Sequence, residues 1–129
     1  MALTLPLMLL VAIGIVEFGR AYQTWQVLTN AAREGARIAV LPGMDDATVT
    51  SRVQSYMSDG QLPNSAIATV TITRNNAIAI GAGTASASRV TIGYPFTFMV
   101  LQPIAQLVDP NTTAGAPLTM TASALMRNE

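Results

Sequence analysis

Hydrophobic positions follow three patterns along the chain. Residues 2–16 are apolar almost throughout (Ala2-Leu3-Thr4-Leu5-Pro6-Leu7-Met8-Leu9-Leu10-Val11-Ala12-Ile13-Gly14-Ile15-Val16), as in a helix surrounded by lipid or protein. After Glu17-Phe18-Gly19-Arg20, residues 24–41 turn amphipathic while keeping helical spacing. No helix stop lies between Pro6 and Leu41. Proline is tolerated in a first turn but breaks a helix interior, and the next proline is Pro42, followed by Gly43. The spacing therefore predicts one helix of about 36 residues, roughly 54 Å long at ~1.5 Å per residue. Its continuity through Gly14 and Gly19 is open, since two glycines cost roughly 2 kcal/mol of helix stability relative to alanine. A small domain cannot cover such a rod, so part of it must lie in lipid or against other chains. The expected division is a stem, residues 1–25, forming a membrane or filament core, and a head, residues 26–129.

Asp45 or Asp46 caps a second predicted helix running to about Ser58, with Val49, Val53 and Met57 on one face and Gly60 as its stop. The period then switches to two. Ala68, Val70 and Ile72 alternate with threonines in a first strand; Asn75-Asn76 can turn, and residues 77–80 extend or bulge that strand. Residues 81–86 read as a loop. They lack the spacing and the lysine of a phosphate cradle. Val90, Ile92, Tyr94 and Phe96 line one face of a second strand. Residues 98–108 are apolar with Pro103 inside, a short helix or packed loop, and residues 109–115 form a polar turn. Leu118, Met120, Ala122, Ala124 and Met126 face inward from a third strand, with methionine as flexible core filler. The order predicts an α+β fold: a small antiparallel sheet laid over the upper half of a long helix, with a short second helix beside it.

Composition narrows the chemistry. Charged residues make up 11% of the 129, against ~25% in ordinary globular chains, which suits a membrane-anchored or packed subunit. The net charge is zero and every basic residue is arginine, with no basic stripe, so nucleic acid is not an expected partner. Cysteine and histidine are absent, and no cofactor or metal is expected. Without His, Cys or Lys no ordinary triad, Schiff base or Ser-Lys dyad can be built, so an enzyme is not expected. Asp45-Asp46 reads as a cap rather than a calcium or acid-base site, and nothing in the sequence brings Asp59 and Asp109 together. Asn111-Thr112-Thr113 matches the glycosylation triplet, a pattern common by chance.

The stem can be read as signal peptide, membrane helix or core helix. A signal peptide wants a basic stretch ahead of its apolar run, and here the first basic residue is Arg20. The ~15 apolar residues fall short of the ~20 that cross a bilayer. Continuing to Trp25 supplies the length with a charge inside. Membrane insertion before or during assembly is the reading adopted, with a stem buried only in protein as the alternative. Glu17 and Arg20 are three apart and can pair, which lowers the cost of burying either. Tyr22 and Trp25 fall where a membrane interface would sit, or else are aromatics of the head core. Ala31 with Gly35, and Ala32 with Ala36, are four apart and let another backbone come close. Glu34 and Arg37 make a solvated pair.

Leu5-Pro6-Leu7 with its apolar run, Glu17-Phe18-Gly19-Arg20, and Leu28-Thr29-Asn30-Ala31-Ala32-Arg33-Glu34-Gly35-Ala36-Arg37 together resemble the TadE-like family of bacterial tight-adherence systems, within the wider type IV pilin-like group. Tyr94-Pro95-Phe96 and the segment from Leu118 to Arg127-Asn128-Glu129 also look like that family's closing strands. The resemblance is dense over residues 3–41 and loose over the sheet. It implies a type IV pilin-like fold and a pilin or pseudopilin exported through the inner membrane after a prepilin peptidase trims a short basic leader. The pilus assembly machinery is an implied partner. Family precursors carry that leader and a Glu just ahead of a segment like Met1-Ala2-Leu3, and neither stands in this sequence. The expectation is that it begins downstream of the mature N-terminus or lacks its first residues, and Glu17 is not taken as a replacement.

Two function classes compete. In the first, a structural subunit packs its stem through Leu7, Leu10, Ile13, Gly14, Val16 and Phe18 against copies of itself in a helical filament. Glu17 and Arg20 then set register between neighbours, and Ala31, Ala32, Gly35 and Ala36 serve close helix packing. Its location would be the inner membrane before assembly and then the cell surface, with the head exposed for adhesion. In the second, an inner-membrane pseudopilin or tethered binding module uses the stem only as an anchor and recognises a surface or glycan through its head loops.

Overall fold

The computed structural model describes residues 2–128, so of the segments carrying the resemblance only Glu129 lies outside the described residues. α1 (Thr4–Ala39) is one unbroken helix of 36 residues, continuous through Gly14 and Gly19, with Pro6 in its first turn. α2 (Asp46–Asp59) starts at the Asp45 cap, whose carboxylate accepts from the Thr48 N–H at 3.0 Å. A single 3₁₀ turn (Ser65–Ile67) leads into β1 (Thr69–Ile80) and β2 (Gly83–Phe96). α3 (Leu101–Val108) then separates β2 from β3 (Leu118–Arg127). The three strands form an antiparallel sheet in the order β1-β2-β3. The architecture is α+β, with the upper part of α1 packed on one face of the sheet and α2 packed beside it against α1, reaching the sheet at β1, as expected for a pilin-like fold.

The core follows from pattern. On α1, Glu17, Ala21, Thr24, Leu28, Ala31, Gly35 and Ile38 recur at alternating spacings of four and three and are buried or half-buried. That ~3.5-residue recurrence keeps one stripe against the sheet over several turns. Leu28, Ala31, Ala32 and Ala36 meet Val49, Val53 and Met57 of α2 and Val90, Ile92, Tyr94 and Phe96 of β2 in one cluster.

Three local readings change. The expected turn at Asn75-Asn76 is a bulge: the β1–β2 register shifts between Thr73 and Asn76, and Asn75 takes a left-handed φ of 60°. The expected loop at residues 81–86 shrinks to Gly81-Ala82, because Gly83, Thr84, Ala85 and Ser86 pair with Ile80, Ala79, Ile78 and Ala77. This hairpin tip runs past the core, where backbone pairing rather than burial holds it, so small residues there show no period of two. Gly60 ends α2 with φ −77° and needs no left-handed freedom, which Gln61 supplies instead at φ 61°. Its reason is space: a Cβ on Gly60 would lie 2.6 Å from Val27 Cγ1.

Candidate assembly surface

Below the head, α1 stands bare. Leu7 is 63% exposed, and Leu5, Leu9, Leu10, Val11, Ile15, Val16 and Phe18 are likewise open, while Ile13 and Gly14 are half-buried. α1 is long and apolar enough to cross a membrane, with mean hydropathy 1.7 over its most apolar window and only 6% of that window buried. That low burial removes the reading of the stem as a core helix within its own chain. A Cβ on Gly14 or Gly19 would meet nothing within 4 Å. Tyr22 and Trp25 face outward, Tyr22 Oη accepting from Gln26 Nε2 at 2.7 Å, so they are not head-core aromatics.

Glu17 is the exception on this stretch, at 2% exposure. Arg20 Nη1 donates to its two carboxylate oxygens at 3.4 and 3.3 Å, and the Met99 backbone N–H donates to Oε2 at 3.1 Å. The Arg20 guanidinium lies over the Phe96 ring, 5.4 Å from its centroid, and Phe96 meets Phe98 edge-on at 5.2 Å. The expected pair is therefore present and tied into its own chain. It anchors the loop between β2 and α3 to α1 at Glu17. No signal in the sequence pointed to Met99, because a backbone N–H has no residue signature.

The small residues also act inside the chain. Ala31, Ala32, Gly35 and Ala36 are all buried, and a Cβ on Gly35 would lie 2.5 Å from Val53 Cγ2 and 3.2 Å from Val90 Cγ1. The partner that comes close is the chain's own α2 and β2. Glu34 pairs with Arg37 at 3.6 Å as expected and also with Arg52 of α2 at 3.7 Å. At the upper end Arg74, beside the bulge, donates to the carbonyls of Ala39 and Met44 at 2.7 and 2.9 Å and to Asp46 Oδ1 at 2.9 Å. It thereby satisfies carbonyls left open where α1 stops. The carboxyl of Asp45 is held below its ordinary range by the hydrogen bonds from Thr48.

The head carries a cleft of about 180 Å³ lined by Arg20, Thr24, Gln61, Asn64, Tyr94 and Phe96. Tyr94 Oη accepts there from the Asn64 N–H at 3.3 Å. Asp59 and Asp109 close α2 and follow α3, with no hydrogen bond or ion pair between them among the described residues. No group of three or more potential metal ligands occurs among the described residues.

A family model described as TadE-like protein matches residues 1–37, the stem together with most of the small-residue face. The similarity read from the residues thus holds over α1 up to Arg37. Neither the curated proteins nor the solved structures include a match.

Proposed function

We propose that the chain is a pilin-like structural subunit of a tight-adherence pilus, held in the inner membrane by α1 and then packed through its stem into a filament. The observation that carries the reading is a head with a complete core on top of a helix whose lower half has none. An apolar stem in this state has to be covered by lipid or by other chains. A heterologous contact between identical stems that does not close produces a helical filament. The match to the TadE-like family supports association with the pilus system and a structural rather than an enzymatic role. Leu7, Leu10, Ile13, Val16 and Phe18 supply the packing surface, and Gly14 admits a neighbouring helix closely. Glu17 and Arg20 set the position of the head on the stem and, through it, the register between neighbours. The division between stem and head falls at Glu17. The pilus assembly machinery and a prepilin peptidase would be the partners, and the exposed head would face outward for adhesion.

Electron microscopy of material sheared from native cells, with mass spectrometry of any filaments, tests the reading. Filaments containing this chain support it, and the N-terminal mass gives the mature start. Recovery only from the inner-membrane fraction, as monomer or small complex, would favour the anchored pseudopilin or binding module instead.

A further inference from the structure

We propose that residues 98–108 form an apolar shelf lying in the lipid–water interface beside the stem, so that the base of the head rests in the membrane before assembly. The proposal rests on the membrane-anchored reading above. No charged residue occurs between Arg89 and Asp109. At helical spacing, Leu101, Ile104, Leu107 and Val108 fall on one side of α3, with Gln102 and Gln106 on the other. The chain leaves much of that apolar side open: Leu107 and Val108 are 85% and 87% exposed, and no residue of α3 is fully buried.

The surface is continuous with the stem. Val100 lines a groove of about 270 Å³ together with Leu9, Ala12, Ile13 and Val16, and the floor of that groove includes Glu17. Depth arithmetic says what covers it. Tyr22, open on the stem, is the first ring of an interfacial aromatic pair and places the upper boundary of the hydrocarbon at its level. Glu17 then lies five residues, roughly 8 Å, inside the upper boundary at ~1.5 Å per residue. Amphipathic helices in an interface sit about 5–10 Å deep. Met99, bonded to Glu17 through its N–H, brings the start of α3 to that same level. Tyr22 and Trp25, both open, mark the boundary above it. Burial of Glu17 beneath this loop also removes the cost of a bare carboxylate at that depth.

The absence of cysteine allows single nitroxide labels on the full chain through Val11→Cys in the stem, Leu107→Cys on the shelf and Tyr56→Cys on α2. These would be reconstituted at low density in phosphatidylethanolamine–phosphatidylglycerol vesicles. Expected are relaxation dominated by dissolved oxygen at 11 and 107, and by a water-soluble nickel chelate at 56. Oxygen at 11 with nickel at 107 would overturn the shelf while leaving the membrane-anchored reading intact. Nickel at both would overturn both. Spin–spin broadening at 107 that vanishes on dilution with unlabelled chain would assign the groove to a second copy and likewise overturn the shelf.

Discussion

Replacing Gly35 by alanine adds one methyl group to the most crowded face of α1. The added Cβ would lie 2.5 Å from Val53 Cγ2, where carbon atoms prefer roughly 3.5–4.0 Å. Val53 is fully buried on α2, and a valine in a helix has one strongly preferred rotamer, so it cannot simply rotate away. Overpacking of this kind costs about 1–3 kcal/mol. Alanine returns about 1 kcal/mol of helix propensity, leaving a net loss near 1 kcal/mol. For a domain of this size that is a fall of roughly 4 °C in Tm. Gly35→Val should cost about 3 kcal/mol, near the upper end of the overpacking range. Gly19→Ala is the control in the same helix: nothing lies within 4 Å, so no loss is expected, only a gain of up to about 1 kcal/mol. Thermal unfolding of the full chain in mild detergent, followed by near-ultraviolet circular dichroism, separates the two. Equal Tm values for Gly35→Ala and the parent would refute the close approach of α1 to α2.

Glu17→Ala should release the loop before α3, with a loss of about 1.5–3 kcal/mol for a hydrogen bond to a charged group, and should lower filament yield. Unchanged amide-exchange protection at Met99, or normal filament yield, would count against the roles given to Glu17. Arg74→Ala removes donors from Ala39 O, Met44 O and Asp46, and because the site is partly exposed the expected loss is about 1–2 kcal/mol by urea titration. Arg74→Lys should not restore it, since an ammonium cannot span three acceptors as the guanidinium does. The cap at Asp45 gives a pH dependence. Its folded-state pKa is depressed, so its contribution is present above the unfolded value of about 3.8 and is lost as pH falls through the lower folded value. Asp45→Asn, which keeps a capping oxygen, should flatten that part of the acid-stability curve measured by circular dichroism.

Much of the architecture was legible because burial imposes a period. Val49, Val53 and Met57 announced the inner face of α2, and Val90 through Phe96 that of β2, since each repeats at the spacing of its element. The hairpin tip was not legible, because Gly83, Thr84, Ala85 and Ser86 are held by backbone pairing and bury nothing that would repeat. For the assembly surface, sequence identified the pair Glu17–Arg20 and the small residues around Gly35, but not the partners they use. Those partners, Met99 for Glu17 and Val53 and Val90 for Gly35, come from far along the chain and are selected by tertiary packing. The Arg74 latch was hidden for the same reason: a single arginine in a strand carries no sign that it will reach back to the end of a helix.

The central claim is that copies of this chain cover one another's bare stems. Photo-cross-linking in native cells tests it directly, with a benzophenone side chain placed at position 10, because a heterologous contact brings a different residue of the neighbour against Leu10 and a photoprobe needs no matching partner. The account predicts cross-linked dimers of this chain from position 10, with none from position 56 on the head. No cross-link from position 10 to another copy in cells that make filaments would contradict it.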